Sequence, residues 1–191
     1  MKRDKREAIM QAAEKLFTSR RVHEITLDDI VREARVGKGT IYTYFKDKDD
    51  LFFQIARSGF DEMCELVRRQ APGAAGFRAQ LVQVCESVSV FFEKRRQLFR
   101  MIQSEEARMP WLRGAARSQW LEKHRQLVGA LAEVMQCGQA EGAIRQDLPA
   151  TVLASLLLGL LRTRGRELRE SGEAVAVPLL VDFFLRGAER S

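Results

Sequence analysis

Apolar positions recur every three to four residues almost from end to end of this chain, the spacing of helices that bury one face. Ile9, Ala12, Ala13, Leu16 and Phe17 fall at i, i+3, i+4, i+7 and i+8 and predict a core-facing first helix. Leu27, Ile30, Val31 and Ala34 repeat that spacing in a second, shorter helix. Thr26 is placed to cap it, and Asp29 puts negative charge in its first turn, close to a capping box. Ile41 and Phe45 give a short third helix one inward pair. Asp47 is a suitable N-cap for a fourth, with Asp49 and Asp50 in its first turn, running to about Arg69. Period-two runs bounded by hairpin turns, the mark of strands, are not found.

The tract Pro72-Gly73-Ala74-Ala75-Gly76 breaks the pattern. Beyond it, Phe77, Leu81, Val84, Val88, Phe91 and Phe92 mark a fifth helix, and Leu98 to Arg108 a sixth, closed by Pro110. Trp120, His124, Leu127, Leu131 and Val134 mark a long seventh that Gly142 can terminate. Pro149 and Pro178 lie near the starts of an eighth and a ninth. The expected fold is therefore all-α with about nine helices. An N-terminal domain over 3–63 holds a helix-turn-helix at about 26–45, and a helical C-terminal domain covers 64–191.

Composition narrows the choice of function. With 191 residues, 46% of them hydrophobic and 30% charged, the chain is that of a folded protein. Its net charge of +6 makes an acidic partner plausible. The excess is uneven: residues 1–48 carry 12 Lys/Arg against 8 Asp/Glu, the remainder 20 against 18. Cys64, Cys85 and Cys137 lack metal-ligand spacing and suit reduced thiols in a cytoplasmic protein, each a small buried hydrophobe. With only His23 and His124 available, no metal cluster or nucleophile–base pair can be assembled. No metal, no cofactor and no enzymatic activity are expected. The basic N-terminus leads into no signal-peptide apolar region, and the apolar run Val152 to Leu161 is too short for a bilayer, so no membrane partner is expected.

The third helix carries the candidate chemistry. With Ile41 and Phe45 turned inward, Lys38, Gly39, Thr40, Tyr42 and Thr43 occupy the opposite side. Gly37 and Gly39 let the backbone approach a partner closely, and free N–H groups there can meet a phosphate. Thr40 offers a hydroxyl and a methyl, and Tyr42 an aromatic face suited to the thymine methyl. Tyr44, Lys46 and Lys48 are placed for backbone phosphates, with Thr26 adding another at the start of the second helix. Tyr42 and Tyr44 are equally compatible with half-buried packing, since short helix pairs around a Gly-containing turn occur in many helical proteins.

Ile9-Met-Gln-Ala-Ala-Glu-Lys-Leu-Phe17, then Thr26 with Asp29-Ile30, Val36-Gly-Lys-Gly-Thr-Ile-Tyr-Thr-Tyr-Phe45 and Lys48-Asp-Asp-Leu51 resemble the TetR family of transcriptional regulators at that family's spacing. The resemblance covers about the first 55 residues; beyond them it is a helix pattern, the turn at 141–147 and a closing Phe-Leu-Arg-Gly at 184–187. It implies a homodimer with a three-helix reading head and a ligand-binding, dimerising body. It also implies that Thr40, Tyr42, Tyr44 and Lys48 sit at DNA-contacting positions. Three departures stand out: Arg20-Arg21 where the family often has Gly, Arg35 where Gly usually precedes the valine, and Gly37 where Ser is common. A left-handed Arg35 would cost on the order of 1 kcal/mol, while adding a charge near the backbone.

Lys2, Arg3, Lys5 and Arg6 are expected to form a basic arm before the first helix, reaching DNA or merely solubilising the end. In the body, Phe92, Phe99, Met101, Met109, Trp111, Trp120 and His124 are either pocket lining or ordinary core. The last two helices are apolar on more than one side, and Leu156, Gly159, Leu160, Leu180, Phe183 and Phe184 are the expected dimer interface. The leading expectation is a homodimeric repressor of a palindromic or pseudo-palindromic duplex operator, released by an unknown small apolar or amphipathic inducer. An activator, a ligand-independent regulator and an interaction module without DNA binding remain alternatives.

Overall fold

The computed structural model describes residues 4–20, 24–69, 76–95, 115–165, 172 and 175–188. Among them are eight α-helices and no strand: α1 (Lys5–Ser19), α2 (Leu27–Ala34), α3 (Lys38–Tyr44), α4 (Lys48–Arg69), α5 (Phe77–Lys94), α6 (Ala115–Ala140), α7 (Ala150–Thr163) and α8 (Val177–Ala188). The fold is all-α. The sixth helix expected at Leu98–Arg108 lies outside the described residues, as do Pro72 to Ala75.

Two compact units divide the chain: Met1–Gly59 with Arg95–Leu121, and Phe60–Lys94 with Glu122–Ser191. In the first, α1 packs on α2 and α3, and α2 on α3. Ile9, Ala13, Phe17, Ile30, Ile41 and Phe45 are buried, along with Leu51, Phe52 and Ile55 from the start of α4. The Phe17 and Phe52 rings meet edge-on, with centroids 6.2 Å apart. Lys15 Nζ lies 2.5 Å from Glu33 Oε1 and ties α1 to α2 at the surface. Arg95 and Glu14 pair at 3.4 Å.

Polar signals start and stop these short helices. Asp4 caps α1 by accepting from the Arg6 backbone N–H at 3.0 Å. α2 begins with a full capping box. Thr26 Oγ1 accepts from the Asp29 N–H at 3.2 Å, while Thr26 N donates to Asp29 Oδ2 at 3.0 Å. Asp47 Oδ1 accepts from the Asp50 N–H at 2.8 Å at the start of α4.

The second unit is an apolar body in which α5 packs on α7 and α8, and α7 on α8. Leu81, Val84, Cys85 and Val88 from α5, Leu127, Leu131 and Met135 from α6, and Leu153, Leu157 and Leu161 from α7 form its core with Val181 of α8. Phe60, Met63, Cys64 and Val67, at i, i+3, i+4 and i+7 on α4, are buried in this unit as well. Lys123 reaches Asp61 Oδ1 at 2.5 Å at the rim. At the end of α6, Gly142 takes φ +69° and directs the Ala143 N–H back to the Gly138 carbonyl at 2.9 Å, the left-handed helix stop expected of it. Gly138 itself admits a close approach: a Cβ there would lie 2.6 Å from the Phe77 ring.

Candidate nucleic-acid interface

α3 is held from beneath by Ile41 and Phe45, both buried, while Lys38, Gly39, Tyr42 and Thr43 are exposed and Thr40 is half-exposed. The anticipated division into an inward pair and an outward face is present. Tyr42 is 54% exposed and free of the packing role that was its alternative. Tyr44 is 37% exposed and leans on Phe45, with ring centroids 6.4 Å apart, so it does both. A Cβ on Gly39 would meet nothing within 4 Å, leaving room on that face for a partner.

The turn between α2 and α3 resolves the question raised by Arg35. It adopts φ 54° and ψ 45°, the only positive φ outside glycine among the described residues, and its N–H closes the end of α2 onto Arg32 and Val31 carbonyls. This left-handed cap carries a cost on the order of 1 kcal/mol that a glycine would avoid. Gly37 is the N-cap of α3 with extended backbone (φ −71°, ψ 147°) and supplies no side-chain cap bond.

Several cations expected to face a partner are already engaged. Lys38 Nζ sits 2.9 Å from Asp28 Oδ1 and 3.0 Å from Oδ2, and this bond raises its pKa. Lys48 is half-buried, its Nζ donating to the Ile25 carbonyl at 2.9 Å just before α2. Thr26 spends its hydroxyl in the capping box, donating to Asp29 Oδ2 at 2.8 Å. The Thr26 N–H, then its hydroxyl, hold the Asp29 carboxyl below its usual range. Thr43 Oγ1 donates back to the Gly39 carbonyl at 3.2 Å.

The basic arm needs correction. Lys5 and Arg6 do not precede the first helix; they form its first turn, because Asp4 supplies the cap one residue earlier. Arg6 Nη2 donates to Gln54 Oε1 at 2.6 Å, and its guanidinium lies 5.9 Å from the Phe45 ring centroid. Lys2 and Arg3 lie outside the described residues. Asp28 and Gln54, the partners that hold Lys38 and Arg6, escaped the sequence reading. Their contacts span 10 and 48 positions, beyond any local periodicity.

In the body, Phe92 and His124 are half-buried, while Phe99, Met101, Met109 and Trp111, and the Trp120 side chain, lie outside the described residues. The expected interface divides. Leu180 and Phe184 are each 6% exposed and belong to the chain's own core, because α8 turns them toward α5 and α7. Leu156 (54%), Leu179 (62%) and Phe183 (69%) face outward, with Gly159 and Val152 exposed beside Leu156 on α7 and Leu160 half-exposed. Cys64 and Cys85 are buried, and burial pushes the Cys85 thiol up to about 12. Among the described residues no helix is long and apolar enough to cross a membrane, and no cluster could hold a metal ion.

Comparison with known proteins agrees with this geometry. Residues 9–55 match the family model described as bacterial regulatory proteins, tetR family. The HTH-type transcriptional regulator YhgD of Bacillus subtilis (strain 168) is 29% identical over 161 residues, covering 83% of each chain. The HTH-type transcriptional repressor AcnR of Corynebacterium diphtheriae is 26% identical over 153 residues, 80% of this chain and 75% of that one. Among solved structures, the transcriptional regulator FadR from Bacillus subtilis in complex with stearoyl-CoA superposes with a TM-score of 0.77. It is 18% identical, with 94% of this chain and 95% of that one covered, a likeness of fold.

Proposed function

From a chain that belongs to the TetR family of transcriptional regulators, and is therefore a helix-turn-helix regulator and not an enzyme, we infer a homodimeric repressor that leaves its operator when a small amphipathic ligand enters the body. The observation that carries the reading is the face of α3: Gly39, Thr40, Tyr42 and Thr43 outward, over the buried pair Ile41 and Phe45. In this reading Thr40 and Tyr42 meet base edges in the major groove, while Tyr44, Lys46, Lys48 and the backbone at Gly37 hold phosphates. Lys38 joins them after giving up Asp28. The protein acts in the cytoplasm, where its operator is.

A second subunit is supported by the apolar residues left exposed on α7 and α8. Val152, Leu156, Leu179 and Phe183 are large, exposed and clustered on the two last helices. Paired across a two-fold axis, these helices make a four-helix interface around Gly159, where close approach is free. Two α3 helices then enter successive major grooves about 34 Å apart. The proposed domains are a DNA-binding segment over 3–63 and a ligand-binding, dimerising body over 64–191, with α4 passing from one to the other. Ligand in the body shifts α4 and the spacing with it. To change the dimer from almost wholly bound to almost wholly released, the ligand must favour the released state by about 5.5 kcal/mol. An acyl thioester is the class favoured by the stearoyl-CoA held in the FadR neighbour.

Selection of duplexes from a random pool by the purified protein tests the reading. A two-fold symmetric site is expected, with Tyr42→Ala losing at least tenfold in affinity at unchanged thermal stability. Indifference of binding to Tyr42→Ala would remove α3 from the groove. Long-chain acyl-CoA titrated into the complex should release the duplex; release by no acyl-CoA would leave the reading head standing and discard the ligand class.

A further inference from the structure

Three cations lie within the helix-turn-helix, and among the described residues only Arg35 makes no ion pair, its charge acting on Glu33 through space alone. Arg32 faces Asp29 Oδ1 at 3.7 Å, and Lys38 is paired with Asp28. Arg35 is exposed, and its guanidinium has no hydrogen-bond or ion-pair partner among the described residues. It is also the residue held at φ 54°, where glycine would sit without strain. The backbone there already closes α2 through the Arg35 N–H, so it is the side chain alone that is left without a hydrogen bond among the described residues. The turn joins α2 to α3, so its side chain starts at the edge of the face that carries Thr40 and Tyr42.

We propose that Arg35 is a dedicated clamp for a DNA backbone phosphate, a contact that adds affinity without reading sequence. The proposal rests on the reading head inferred above and assigns to one residue of it a separate role. A guanidinium suits that role because it stays charged and presents a planar fork of donors that matches two phosphate oxygens. With no hydrogen bond or ion pair among the described residues, its guanidinium has none of these to break before meeting the duplex, whereas Lys38 must first leave Asp28. The alternative is that Arg35 only complements the negative end of the α2 dipole. Such a function would be silent in DNA binding.

The test is the salt dependence of binding by the unaltered chain, Arg35→Gly and Arg35→Lys, on the selected duplex and on an unrelated one. Each phosphate contact contributes about 0.9 to the slope of log K against log [salt]. Arg35→Gly should flatten the slope by about 1 per bound subunit and weaken both duplexes by a similar factor, several-fold near 0.15 M salt. Its melting temperature should hold or rise, since the left-handed turn is relieved. Arg35→Lys keeps the charge and should keep the slope. An unchanged slope in Arg35→Gly overturns the clamp, as does a loss confined to the selected sequence, which would mark a base contact. If the unaltered chain bound neither duplex, the reading head itself would fall, a result separate from failure of the clamp alone.

Discussion

In the reading head, α2 runs for 8 residues and α3 for 7, while in the body α6 runs for 26 and α7 for 14. Helices as short as the first two are not stable alone in water, because the cost of nucleation is spread over too few bonds. α2 persists through explicit polar devices, the Thr26–Asp29 box and the left-handed Arg35, while α3, which has no side-chain cap bond at Gly37, rests on α1 and α2 with Ile41 buried. The body has such a device at the start of α5, where Glu141 Oε2 accepts from the Phe77 N–H at 3.2 Å. α7 has no side-chain cap bond at its Pro149 start, and its stability comes from Leu153, Leu157, Leu158 and Leu161 packed on neighbouring helices. The surfaces differ in the same way: the head exposes hydroxyl and cationic groups around one tyrosine pair, the body large apolar ones. Where a segment must meet a polar ligand, its outward residues are freed from packing, and in α2 local caps add to burial as a source of order.

Putting charge on the body's outward face attacks the comparison most directly. Phe183→Glu should turn the proposed dimer into monomers on sedimentation and lower operator affinity on the order of 100-fold, since each head then binds alone. Dimers that survive would mean the exposed residues of α7 and α8 serve something else.

Two glycine substitutions should act with opposite signs. Gly138→Ala in the body puts a methyl against the Phe77 ring, and overpacking of this kind costs about 1–3 kcal/mol, seen as a melting temperature lowered by several degrees. Gly39→Ala in the head meets open space and should add roughly 0.5–1 kcal/mol of helix stability while obstructing the duplex. A tolerant Gly138 would weaken the contrast between a volume-limited body and a cap-limited head.

Thr26→Ala removes one half of the capping box and should cost about 1 kcal/mol in chemical denaturation. A loss well below half that would place the order of α2 in its packing on α1.

The smallest effect is a pH dependence that differs between the units. Asp29 and Glu33 have lowered pKa values, from Thr26 and from Lys15 respectively, so their stabilisation is present above the ordinary carboxylate range and lost as pH falls through the lowered values. Cys85 is the reverse case in the body. Burial raises its thiol to about 12, so stability declines as pH climbs past its ordinary 9.0, where the unfolded chain ionises first. Melting curves from pH 3 to 10 should show both flanks, and Cys85→Ala should flatten only the alkaline one.

Much of the head was legible in the sequence. Thr26, Asp29 and Asp47 act on backbone groups within four positions of themselves, so residue identity and spacing suffice to place the caps. The αL strain at Arg35 was legible too, since a non-glycine residue stood where the resembled turn needs a left-handed one. The fate of the cations was not. Lys38, Lys48 and Arg6 are held by Asp28, the Ile25 carbonyl and Gln54, groups brought near only when separate helices pack.

The chain's own order of residues thus determined that it is helical, where its short helices begin, and that Ile41 and Phe45 face away from Tyr42. Tertiary structure decided which apolar residues of α8 stay outside. Leu179, Leu180, Phe183 and Phe184 are alike in hydrophobicity and lie on adjoining faces, so periodicity alone cannot rank them. The rotation of α8 against α5 and α7 buries Leu180 and Phe184 and leaves Leu179 and Phe183 in water. That rotation is fixed by side chains of other helices, because a two-sided apolar helix gains from burial on either side and only its neighbours choose between them.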